Sequence, residues 1–183
     1  MRVNPYHCDM DIRSEILKEH SKAQAKKISE FIGNDPSRFA ELVALFLNDE
    51  KKVAQRAAWI LSHCTDIYPL LIRPHLKDLV ENLRKTNLHD AIPRNTLRIL
   101  ATQEIPETVK GHLLNLCFDY LMVAKLPVAI KIHAMQIVFN ISKNEPDLLN
   151  ELKMVIEERL PYGTAGFKSR GKKIVKAINK IVK

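Results

Sequence analysis

One segment of this 183-residue chain returns three times at a nearly constant step. Val53-Ala54-Gln55-Arg56-Ala57-Ala58-Trp59-Ile60-Leu61 is followed 39 residues later by Ile92-Pro93-Arg94-Asn95-Thr96-Leu97-Arg98-Ile99-Leu100. The next copies begin at Ile130, 38 residues on, and at Phe167, 37 further. Positions of the same rank agree in type. Val53, Ile92, Ile130 and Phe167 are large and apolar; Ala57, Thr96, Ala134 and Gly171 are small. Ile60, Ile99, Ile137 and Ile174 are identical, and each precedes Leu or Val. A small residue one turn before a large one lets helices interlock. A period of this length is the signature of stacked supersecondary units, none of which can bury its apolar face alone.

The segments between these copies are also helical in pattern. Proline is tolerated in a first helical turn, where its missing N–H has no partner. Pro36, Pro69, Pro106, Pro127 and Pro146 each precede such a pattern, with Asn34, Asp35 or Asp66 available as caps. The reading gives helices at 13–33, 36–48, 50–65, 69–86, 90–103, 106–124, 127–142, 146–160 and 166–182. Pro74 is expected to kink its helix or delay its start. Glycine is scarce, at five residues, and aromatic side chains make up 6%, too few of either for a β protein. Connections of two to five residues force neighbouring helices antiparallel. No low-complexity linker interrupts the chain, so one domain over 1–183 is expected: a flexible 1–12, an N-terminal cap helix over 13–35 and four helical hairpins over 36–182.

Asn48-Asp49-Glu50-Lys51-Lys52-Val53-Ala54-Gln55-Arg56-Ala57-Ala58-Trp59-Ile60-Leu61 resembles the turn and second helix of a HEAT repeat. Asp49, Val53 and Ala57 match that family's turn Asp, helix Val and small residue, and Asp90 is a candidate for the next turn residue. The Arg expected directly after the Val is replaced by Ala54. The related armadillo and TPR solenoids share the architecture, although this period is long for TPR. The resemblance implies an all-α fold: a right-handed α-α superhelix of about four HEAT-like hairpins behind an N-terminal capping helix.

In such a stack the second helices line one concave face, which commonly holds partners. The alignment sets Arg56, Asn95, His133 and Arg170 in one column, Trp59, Arg98, Gln136 and Lys173 in a second, and His63, Thr102, Asn140 and Ala177 in a third. Arg and Trp most often dominate interface energies. The candidate partner-binding residues are therefore Arg56, Trp59, Arg98, His133, Gln136, Arg170 and Lys173. An ordinary solvated helix face, with Trp59 in the core, would show the same residue types.

The net charge is +8, from 29 basic and 21 acidic residues. Residues 164–183 hold seven of the basic groups and no acid. Phe167, Gly171, Ile174, Ile178 and Ile181 form the apolar stripe of the last helix, leaving its cations outside. Lys168, Lys172, Lys173, Lys176 and Lys180 are thus candidates for nucleic-acid phosphates. They also suit the polar end that a solenoid's last unit requires.

No zinc-protease, phosphate-loop, serine-hydrolase or paired-cysteine motif occurs. No cofactor or metal is expected, and no small-molecule substrate. HEAT-like DNA glycosylases that excise alkylated bases are similar in size and basic, but they set a carboxylate and aromatic platforms on the concave face, where this sequence offers Trp59 alone. The expectation is a non-enzymatic scaffold holding a protein partner, with nucleic acid as the alternative and no membrane. Cys8, Cys64 and Cys117 are odd in number and widely spaced, which argues against a disulfide framework. The first residues hold no apolar signal core and no apolar run approaches a membrane span. A cytoplasmic location is expected.

Overall fold

The computed structural model describes residues 10–182, and all regular structure among them is helical. Ten α-helices follow in order: Ile12–Lys18 (α1), Lys22–Ile32 (α2), Pro36–Asn48 (α3), Lys51–Ile67 (α4), Leu76–Asn82 (α5), Ala91–Leu100 (α6), Glu107–Met122 (α7), Val128–Ile141 (α8), Pro146–Arg159 (α9) and Ala165–Ile181 (α10). No described helix is long and apolar enough to cross a membrane. The chain forms two units, one ending at Ile72 and one beginning at Arg73.

In the first unit, residues 13–33 form two helices where the hydrophobic pattern predicts one. Glu19 leaves the helix in extended geometry, and Ser21 starts the next by accepting from Gln24 N at 3.1 Å. Gln24 in turn donates to the Glu15 carbonyl and carboxylate, each at 2.8 Å, tying the new start to the old helix. Ser21-x-x-Gln24 is a capping-box pattern, visible in the sequence but hidden inside an unbroken run of helix-forming residues. The expected cap is thus a short hairpin. Its second helix carries Ala25 and Ile28, both buried, at the same three-residue spacing as Ala57 and Ile60. α1 packs on α2, α3 and α4, while α2 and α3 pack on α4. Asp35 caps α3 by accepting from Ser37 N and Arg38 N, with Pro36 in the first turn. The turn residue Asp49 is gripped by a fork from Arg13 of α1 (Nε–Oδ2 2.7 Å, Nη2–Oδ1 3.0 Å). Ile12, expected in a flexible lead-in, opens α1 and is fully buried.

The second unit contains three hairpins: α5–α6, α7–α8 and α9–α10. Residues 69–86, expected as one helix, yield only α5, preceded by a 3-10 turn at Arg73–His75. Pro74 cannot donate a backbone N–H and delays the helix as expected. Pro93 falls in the first turn of α6, where it disturbs no helical bond. The second helices stack directly, α6 on α8 and α8 on α10. The first helices do likewise, α5 on α7 and α7 on α9. Two layers result.

The repeat positions build the core of both units. Ile60, Ile99, Ile137 and Ile174 are each at most 3% exposed, and Ala57, Thr96, Ala134 and Gly171 are buried beside them. Removing one isoleucine side chain from water contributes roughly 1.5–3 kcal/mol. At Gly171 a Cβ would come within 2.9 Å of Ile156 Cγ2, so only hydrogen lets α10 lie this close to α9.

Candidate functional site

Second-helix side chains are stitched across the second unit. Arg170 of α10 donates Nη1–H to Gln136 Oε1 at 2.9 Å. Gln136 donates Nε2–H to Asn140 Oδ1 at 2.9 Å, one turn further along α8. Asn140 donates Nδ2–H to the carbonyl of Ala101, which ends α6, also at 2.9 Å. These bonds consume the amides and hold α10, α8 and α6 in register. His133 sits beside this relay, half-buried. Burial holds its imidazole below the ordinary histidine range, and Arg98 and Arg170 reinforce the shift. Arg98 and Lys173 are exposed. The arrangement brings five of the seven predicted contact residues together: Arg98, His133, Gln136, Arg170 and Lys173.

The other two lie on α4 of the first unit. Arg56 donates Nη1–H to the carbonyls of Ile16 and Leu17, at 2.9 and 3.1 Å. Its charge neutralises the negative end of α1. Trp59 is half-buried, flanked by the rings of His20 at 5.4 Å and His63 at 5.7 Å. Asn95, aligned with Arg56, is 7% exposed and turns back on its own helix, donating to Ala91 O at 2.8 Å.

Charge in the second unit is sorted by layer. The second helices carry Arg94 and Arg98 on α6, Lys131 on α8 and six cations on α10, with no Asp or Glu on any of the three. The first helices are net acidic, with Asp78 and Glu81 on α5, Glu107 and Asp119 on α7, and four more carboxylates on α9, against four cations in all. A sequence count confines the basic excess to the last twenty residues, whereas the fold extends it over a whole layer. The predicted phosphate-contacting residues Lys172, Lys173, Lys176 and Lys180 are exposed, and Lys168 is half-buried. None of these five has a carboxylate within ion-pair distance among the described residues.

Arg94 and Lys131 join the charged layer but escaped the repeat reading. Arg94 was legible as the i, i+4 neighbour of Arg98. Lys131 was legible from the repeat itself, since the step of 37 sets it on Lys168. Among the described residues no group of three His, Cys, Asp or Glu side chains is placed to hold a metal.

A family model described as "HEAT repeat domain" matches residues 12–178, nearly the whole chain. No curated protein and no solved structure matches it.

Proposed function

The chain belongs to the HEAT-repeat family, and from that premise we propose that it is a non-enzymatic cytoplasmic scaffold whose second helices hold a protein partner. The observation that carries this reading is the layer of α6, α8 and α10, with nine cations and no carboxylate. Such a surface attracts an acidic partner and repels a basic one. Arg98, Arg170 and Lys173 make the charged contacts, and His133 and Gln136 sit between them. Arg56 and Trp59 offer a separate contact on α4. An alkylated-base glycosylase has less support, because these three helices offer no carboxylate to serve as a base.

The test is capture of partners from the chain's own cells, after nuclease treatment, with Arg98→Glu/Lys173→Glu compared to Lys77→Glu on the opposite layer. A specific protein lost only with the double variant supports the proposal. Equal capture by both variants overturns it.

The same cations favour a second reading, a nucleic-acid backbone. Duplex and single-stranded DNA titrated at two salt concentrations decide it. If phosphates are bound, neutralising Lys172, Lys173 and Lys176 flattens the log–log salt slope by roughly 2–3. Absence of binding at low salt removes that reading.

A further inference from the structure

At one end of the second unit, away from the amide relay, the link after α7 and the loop after α9 enclose a cleft of about 260 Å³. Leu126, Lys131, Arg159, Tyr162, Thr164 and Phe167 are among its walls, and no acidic residue lines it. Two cations meet there. Lys131 Nζ reaches only a backbone carbonyl, that of Ala124 at 3.2 Å. Arg159 Nη2 donates to the Met122 sulfur at 3.3 Å, a weak acceptor. Its Nε–H is shielded from solvent and meets no acceptor. Neither cation has a carboxylate within ion-pair distance among the described residues.

Two like charges gathered in a partly enclosed cleft repel, and a buried guanidinium N–H without an acceptor is unfavourable. Burial, and then the neighbouring Arg159, hold the Lys131 ammonium below the usual lysine range, so the two groups feel each other. One bridging anion would relieve the repulsion and, with a small turn of the Arg159 side chain, give its Nε–H an acceptor. The donor geometry narrows its chemistry. A guanidinium fork and an ammonium together match the several oxygens of a phosphoryl group and its double charge. Much of the remaining wall is apolar or aromatic: Leu126, Phe167 and Tyr162, a residue 91% exposed. Thr164 opens α10 at the same place, and the first turn of that helix bears no acid.

We propose that this cleft is a binding site for a phosphate monoester, with Lys131 and Arg159 on the phosphoryl oxygens and Tyr162 against the esterified group. The site shares Lys131 with the second-helix layer but uses none of the contact residues Arg98, His133, Gln136, Arg170 and Lys173. Both cations already line the cleft, and a small turn of the Arg159 side chain away from the Met122 sulfur would present its fork to the anion.

The probes are inorganic phosphate and phenyl phosphate, with dimethyl phosphate and acetate as comparisons, at constant ionic strength. Phosphate stabilises proteins generally by exclusion from their surfaces, so a rise in melting temperature alone decides nothing. Amide NMR of the wild-type chain gives the location. Saturable shifts confined to residues 124–131 and 159–167, with dimethyl phosphate and acetate binding at least roughly tenfold more weakly, support the site. Lys131→Met and Arg159→Met should each weaken phenyl phosphate roughly tenfold or more, while Lys77→Gln leaves it unchanged. Arg159→Lys, which retains charge but loses the fork, should fall between. Shifts that never saturate, that spread over the basic layer, or that persist in the Lys131→Met/Arg159→Met double variant overturn the proposal. Equal affinity for dimethyl phosphate overturns it as well, because a diester carries one charge and fewer free oxygens.

Discussion

Gly111 and Gly171 show how far a residue's meaning depends on its neighbours. Both lie inside helices, where glycine is about 1 kcal/mol less favourable than alanine. Around Gly111 on α7 a Cβ would meet nothing within 4 Å, whereas at Gly171 it would press on Ile156 at 2.9 Å and Leu160 at 3.4 Å. Gly111→Ala is therefore expected to stabilise the protein by about 0.5–1 kcal/mol. Gly171→Val should destabilise it by roughly 1–3 kcal/mol through overpacking. Urea denaturation followed by circular dichroism distinguishes the two signs. The repeat alignment identified Gly171 as the small position of the fourth unit but had nothing to say of Gly111. Alignment also placed His133 beside Arg170 correctly within its unit. It could not foresee that Arg56 would turn to the end of α1, because the partner there is a pair of backbone carbonyls and leaves no trace in side-chain patterning.

At the scale of elements, the helices with proline or Asp starts, such as α3 and α9, were legible to within a residue or two. The misread ones have separate causes: Pro74 shortened the helix expected over 69–86, and a hidden cap divided the first. Residues 13–33 keep a continuous helix-forming composition, and the break depends on a single serine cap and on Glu15. That carboxylate is 7% exposed and accepts from Lys18, Gln24 Nε2 (2.8 Å) and Lys27 (3.0 Å). These donors, Lys18 foremost, pull its pKa from the ordinary 4.5 down to about 2. The sign follows from linkage: the folded state holds the proton less tightly than the unfolded chain. The contribution to stability is complete above about pH 4.5 and fades as the pH falls toward 2. Trp59 belongs to the same unit, so its fluorescence can follow urea unfolding of that unit at each pH. The wild-type midpoint should drop through this window, while Glu15→Gln should start lower at pH 7 and decline less steeply. Parallel curves would show that Glu15 has no part in acid sensitivity.

The whole molecule hides its charge pattern from a linear count. Acidic first helices alternate with acid-free second helices in the second unit, so the sequence before residue 164 reads as nearly neutral. Only assignment of helices to layers separates the signs. The fold class was legible because burial repeats every 37 to 39 residues; surface charge is under no such packing constraint. Each unit also encloses one free thiol, Cys64 in the first and Cys117 in the second, whereas Cys8 lies outside the described residues. Burial pushes the Cys64 thiol from near 9 up to about 12 and raises Cys117 further. At equal pH the native Cys64 thiolate is then far scarcer than in an ordinary thiol. In a Cys8→Ser variant, Ellman's reagent should find neither thiol in the native protein and both in denaturant. Fast labelling of one would show that its unit opens readily.

The sorting of charge has a kinetic corollary. With cations on one sheet of helices and carboxylates on the other, the second unit carries a permanent dipole moment directed across its layers. An approaching polyanion exerts a torque on that dipole before any contact forms, turning the cationic side toward itself. Encounters would therefore arrive pre-oriented, and added salt should slow association more than it hastens release.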